Sequence, residues 1–123
     1  MISIDSYGWI ERFTEGPKAR EYNAIIDRAP VSEIVTATVV LYEVYKRIKQ
    51  AKGEEPALEA IAALSGTNVV ALDQTIALEA ADFSLENHLH MSDALVYVTA
   101  RHYEAQLYTS GEDLRKLKSV TFV

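Results

Sequence analysis

What most limits the fold of this chain is an alternation. Five short apolar segments are separated by longer stretches in which apolar residues recur every three or four positions. The short segments are residues 1–5, 34–36, 68–72, 106–109 and 119–122. Each is too brief for a helix and rich in Ile, Val, Leu or Thr. Between them lie amphipathic helical patterns over 7–14, 18–27, 39–52, 56–65, 74–86 and 93–103, with a shorter one over 112–117. Gly16-Pro17, Gly53 and Gly66 punctuate the helices, and Asp73 and Ser92 stand where N-caps belong. Short strands that alternate with helices, each strand apolar throughout, predict an α/β fold with a parallel sheet covered by helices on both faces.

The chain has 123 residues, which fits one domain spanning 1–123 with a core that needs no covalent staples. It contains no cysteine, so disulfides, thiolate zinc sites, iron–sulfur clusters and cysteine nucleophiles are excluded. The N-terminus meets an acid at Asp5 and lacks the basic start and apolar run of a signal peptide. The most apolar stretch, 34–41, is far too short to span a bilayer, so no membrane association and a cytoplasmic location are expected. With 18 acidic against 12 basic side chains the formal charge is −6, at first sight unfavourable for a nucleic-acid partner.

In an open parallel sheet, ligands bind beyond the carboxyl ends of the strands. Asp5 closes the first segment, and Thr109 and Ser110 close the fourth. Asp93 opens a helix running antiparallel to the strands, which begins near those same ends. Asp113 lies just past the fourth segment, at the same rim. Glu43 stands among apolar neighbours in VVLYEVYK, where an ionised carboxylate is expensive unless a cation or donor meets it. Clustered carboxylates raise one another's pKa and need positive charge to stay ionised. Oxygen donors without Cys or His point to Mg²⁺, with Mn²⁺ able to substitute. Taken singly, each acid also has an ordinary structural role: a turn at Asp5, a helix-dipole partner at Asp93 or Asp113, a Lys46 or Arg47 ion pair at Glu43.

Other candidates carry less. Asp73 is explained as a cap, His88 and His90 have a spacing suited to a surface loop, and His102 sits near a helix C-terminus. No glycine-rich phosphate loop follows the first segment. Ser6 and Tyr7 lack the partners of a hydrolase triad.

Together these motifs resemble the PIN-domain ribonucleases, and among them the VapC-type toxins of toxin–antitoxin pairs. ISIDSYGWIERF is similar to that family's first motif, TATVVLYEVYKRI to its second, and MSDALVYVTARHYEAQLYTSGEDLRKL to its third and fourth. The resemblance implies a three-layer fold around a five-stranded parallel sheet. It implies a Mg²⁺-dependent endoribonuclease in which Asp5, Glu43 and Asp93 are the catalytic acids, Asp5 and Asp93 holding the metal. Many family members carry Thr-x-Asp after the fourth strand. Here Thr109-Ser110-Gly111 has glycine at that place, and Glu112 or Asp113 is the replacement, with Asp113 preferred.

The resemblance further implies an RNA substrate, a homodimer and a small antitoxin whose tail covers the acid groove. Lys46, Arg47, Lys49 and Lys52 on one helix are candidate phosphate contacts, single-stranded or loop RNA being the expected substrate. The apolar face formed by Tyr22, Ile25 and Ile26 belongs either to the core or to the antitoxin interface. The competing reading is a catalytically degenerate PIN-fold module that binds RNA or a protein without cleaving, for which Gly111 is the main support.

Overall fold

The computed structural model describes residues 1–123. Five parallel strands, β1 (Ile2–Ile4), β2 (Ile34–Ala37), β3 (Asn68–Val70), β4 (Gln106–Thr109) and β5 (Val120–Phe122), form one sheet in the order β3-β2-β1-β4-β5. Six α-helices connect them: α1 (Ser6–Thr14), α2 (Ala19–Arg28), α3 (Thr38–Lys52), α4 (Glu54–Ser65), α5 (Gln74–Asn87) and α6 (Met91–His102). The expected α/β class and strand order along the chain are both present. The elements differ from expectation at their ends. β3 stops at Val70, the stretch after β4 makes only a 3-10 turn over Glu112–Leu114, and α4 starts two residues before Pro56, leaving that proline in its first turn. Helix α6 begins at Met91, with His90 and not Ser92 in the capping position.

Burial explains why such short strands persist. All four residues of β2 are buried, as are Ile4, Leu107 and Thr109. A strand covered on both faces gains from apolar side chains on both faces, so Ile34 and Val35 each contribute burial that an alternating strand would lose to solvent. The helices add their stripes: Val40, Val44 and Ile48 from α3, Ala57, Ala60 and Leu64 from α4, and Ala94, Val96 and Ala100 from α6. Helix α6 lies against β2 and β4, so the middle of the sheet is covered along its length.

Two glycines serve different needs, a close approach at Gly8 and a positive φ at Gly53. A Cβ at Gly8 would sit 2.4 Å from Tyr22 Cε1 and 2.7 Å from Ile4 Cγ2, so α1 packs on α2 and β1 through bare backbone. Gly53, at φ +94°, turns α3 sharply into α4. The face of Tyr22, Ile25 and Ile26 is resolved in favour of the core. Tyr22 and Ile26 are buried in it, and Ile25 packs against it half-buried. No helix is long and apolar enough to cross a membrane.

Candidate functional site

Strand order creates the site. The chain leaves β1 toward β2 on one side, while β4 lies on its other side, so the sheet switches direction between β1 and β4. Loops diverge at such a point and leave a crevice at the carboxyl ends. Asp5 follows β1 there. Its backbone N–H donates to the Tyr108 carbonyl at 3.0 Å, continuing the ladder one residue past the strand.

The Asp5 carboxylate is buried and held on both oxygens. Oδ1 accepts from Ser6 N at 2.7 Å, which caps α1, and Oδ2 accepts from Thr109 Oγ1 at 2.7 Å. Thr109 Oγ1 in turn accepts from Gly111 N at 3.0 Å. The hydroxyl thus ties the turn after β4 to the acid after β1.

Glu43, on the second turn of α3, and Asp93, in the first turn of α6, are half-buried near the same crevice. Burial is the largest influence on each and pushes both carboxyls above the usual range. Repulsion adds to it: Asp5 and Asp93 act on Glu43, and Asp5 and Asp113 act on Asp93. The hydroxyls of Ser6 and Ser92 pull Glu43 the other way, as His90 does Asp93. The acids singled out in the sequence therefore share one electrostatic neighbourhood. Asp113 is exposed and at its edge. None of the four acids enters an ion pair; the pairs in the chain are Arg12–Asp27, Lys49–Glu54, His102–Glu79 and Arg115–Glu112. Nor do three acids or histidines stand close enough together to hold a metal ion with the side chains as placed. Asp5 is instead held by Thr109 and Ser6. The donor set itself, all oxygen and short of positive charge, is chemically suited to a hard divalent cation.

Two neighbours of the site, Glu11 and Lys18, were not among the sequence candidates, and a third, Tyr22, was one only as part of the apolar face of α2. Glu11 on α1 is buried, and its Oε1 accepts from Lys18 N at 2.7 Å at the start of α2. Gly16 leaves it room, since a Cβ there would meet Glu11 Oε2 at 1.9 Å. Tyr22 is fully buried, its hydroxyl 2.7 Å from Ser110 Oγ, and burial pushes its phenol up to about 12. Lys18 Nζ donates to Ser110 Oγ at 3.4 Å and to the Val123 carbonyl at 2.9 Å. A helical acid followed by Gly-Pro is the only sequence signal that points to Glu11.

From Ser6 and Glu43 a groove of about 820 Å³ runs between α1 and α3, with Tyr7 and Glu11 on one wall and Tyr42, Lys46, Arg47 and Lys52 on the other. Elsewhere, Asp73 caps α5 by accepting from Ile76 N at 2.9 Å, His88 and His90 are exposed at the turn between α5 and α6, and His102 pairs with Glu79.

The fold thus brings Asp5, Glu43 and Asp93 into one neighbourhood near the switch point of a parallel α/β sheet. The chain belongs to the PIN domain family, whose pattern matches residues 2–120. Its fold is shared by solved toxin–antitoxin proteins. A toxin–antitoxin complex from Klebsiella pneumoniae matches with a TM-score of 0.84 at 23% identity, over 98% of this chain and 96% of that one. Mycobacterium tuberculosis VapC20, a sarcin–ricin loop cleaving toxin, matches with a TM-score of 0.77 at 16% identity, over 94% and 92%. VapBC2 of Rickettsia felis, bound to a DNA fragment from its promoter, matches with a TM-score of 0.73 at 13% identity, over 100% and 98%. No curated protein matches the chain in sequence.

Proposed function

We propose that the chain, one PIN domain over residues 1–123, is a Mg²⁺-dependent endoribonuclease and the toxin of a toxin–antitoxin pair. The observation that carries this reading is the shared field of Asp5, Glu43 and Asp93, none of them in an ion pair, at the switch point of a PIN fold. Asp5 and Asp93 would hold the ion, Mg²⁺ or Mn²⁺, with Glu43 beside them and Asp113 at the rim. A bound ion would supply acidity to a water and stabilise charge on the scissile phosphate. The remaining work falls to the chain. Ser6 N and Thr109 hold the Asp5 carboxylate on both oxygens, so the chain sets its orientation. Glu43, half-buried and repelled by Asp5 and Asp93, has like Asp93 a carboxyl raised above the usual range, which favours its taking up a proton. Lys46, Arg47 and Lys52 along the groove offset the overall charge where phosphates would approach.

The partner assignment has separate support. The Klebsiella and Rickettsia structures are toxin–antitoxin assemblies, and an antitoxin tail laid over this groove would block it. A homodimer of the toxin belongs to the same reading.

The test is RNA cleavage by the wild type and by Asp5→Asn and Asp93→Asn, with and without a chelator. Cleavage that stops with chelator and is lost in both variants supports the proposal; undiminished cleavage by both variants would sink it. Gly111, where many relatives carry a fourth acid, favours a second reading as a non-cleaving binding module. Absence of cleavage in a folded protein that takes up no Mn²⁺ would select that reading.

A further inference from the structure

Helix α3 buries Val40, Val44 and Ile48, and Tyr42 stands off that stripe. It is 63% exposed, too open to serve the core. It is the residue before Glu43, and both line the groove that leads away from the acids, with Tyr7 on the α1 wall opposite. One turn further on, Lys46 Nζ lies 5.6 Å from the Tyr42 ring centroid. Lys46, Arg47 and Lys52 enter no ion pair and line the same groove, whereas Lys49, which does not line it, pairs with Glu54. The wall therefore offers an exposed aromatic ring, approached on one face by Lys46, and cations without a carboxylate partner within about 15 Å of helix.

We propose that Tyr42 is a base-stacking, specificity-determining residue that makes this groove select unpaired RNA. The inference rests on the ribonuclease reading above and deepens it. A nucleotide has two parts to satisfy: a planar base with a π-face, and an anionic phosphate. Tyr42 meets the first, and Lys46 with Arg47 meets the second. In a duplex the base faces are already stacked on each other, so only an unpaired strand can present one to Tyr42. Charge favours the same occupant, since the cations of α3 face a polyanion better than any neutral segment.

The test measures binding of a short fluorescein-labelled oligoadenylate to the metal-free full chain at low salt, where the strand stays intact. Tyr42→Ala is expected to weaken binding about 5- to 150-fold, the range for loss of one base–aromatic stack, while Tyr42→Phe binds as the wild type. An abasic strand of equal length is expected to bind wild type and Tyr42→Ala alike. Lys46→Ala is expected to lower the salt slope by about one, and Tyr42→Ala to leave it unchanged. Wild-type affinity in Tyr42→Ala, equal wild-type affinity for a duplex, or no wild-type binding at all overturns the proposal. So does competition by oligoglutamate as strong as by oligoadenylate, which would assign the groove to an acidic protein segment. Cleavage of the same strand with Mg²⁺ separates the two readings. Cleavage with binding indifferent to Tyr42 removes this inference alone. Tyr42-dependent binding with no cleavage removes the ribonuclease reading and leaves an RNA-binding groove.

Discussion

Thr109 Oγ1 donates to Asp5 Oδ2 at 2.7 Å, a buried bond between the ends of neighbouring parallel strands. It sets the direction of the one acid that Ser6 N also grips from the other side. Thr109→Val keeps the shape and removes the donor, leaving a buried carboxylate oxygen unpaired. The expected cost is about 1–3 kcal/mol in stability, with a further drop of roughly tenfold in RNA cleavage from the loosened acid. Thr109→Ser should retain most of both. Denaturant unfolding and initial cleavage rates on the three proteins check this. Full activity in Thr109→Val would show that the tie does not position Asp5.

Asp93 is raised in pKa chiefly by burial, then by Asp5 and Asp113, and Glu43 chiefly by burial, then by Asp5 and Asp93. A carboxyl raised in the folded state favours folding while it is protonated. That contribution is complete below the unfolded pKa and is lost as pH climbs through the folded one. At neutral pH the ionised Asp93 therefore burdens the metal-free protein. Asp93→Asn should raise its melting temperature there, and the gain should shrink toward zero below about pH 4, where the unfolded carboxyl is itself protonated. Equal melting temperatures for Asp93→Asn and wild type at pH 7 would count against a repulsive, uncompensated acid site.

Gly8 lets Tyr22 and Ile4 close against the α1 backbone. Gly8→Ala adds a Cβ within 2.4 Å of the buried Tyr22 ring, which has no free space to retreat into. Overpacking of this kind costs roughly 1–3 kcal/mol despite alanine's better helix propensity. A midpoint unchanged in urea would mean that α2 shifts freely, contrary to the packing described.

Glu11 caps α2 across the Gly16 turn by accepting from Lys18 N. Glu11→Ala leaves that N–H without its partner and opens a hollow beside the groove. About 0.5–2 kcal/mol should be lost, the usual worth of a cap, and hydrogen exchange should rise first at the start of α2. Exchange elsewhere rising equally would indicate a global loss unrelated to the cap.

Much of this arrangement was readable in the chain. The alternation of short apolar runs with helical stripes implies the class, and the rule that ligands sit at strand ends brings Asp5, Asp93 and Thr109 to one place. Glu43 announced itself by being an acid among apolar neighbours. Glu11 did not, because it looks like any helical acid until Gly16 folds the chain back over it, a tertiary fact with no local periodicity. Tyr22, Ile25 and Ile26 form a stripe that reads the same whether it meets core or partner, and only the packing of α2 on α1 decides for the core. The cap of α6 differs from the expected one for a related reason. Ser92 is a good cap by propensity, but the helix starts at Met91, two residues earlier than a Ser92 cap implies, and the Ser92 hydroxyl lies beside Glu43 instead. The charge of −6 also changes meaning. Part of the acid excess is gathered around one crevice, while unpaired lysine and arginine side chains line the groove beside it.

Anomalous scattering from crystals of the free protein soaked in Mn²⁺ tests the central claim most directly. The account predicts a peak bound by Asp5 and Asp93 with Glu43 adjoining, absent in Asp5→Asn. A folded, RNA-cleaving protein with no peak at these acids, or with its only peak elsewhere, would contradict it.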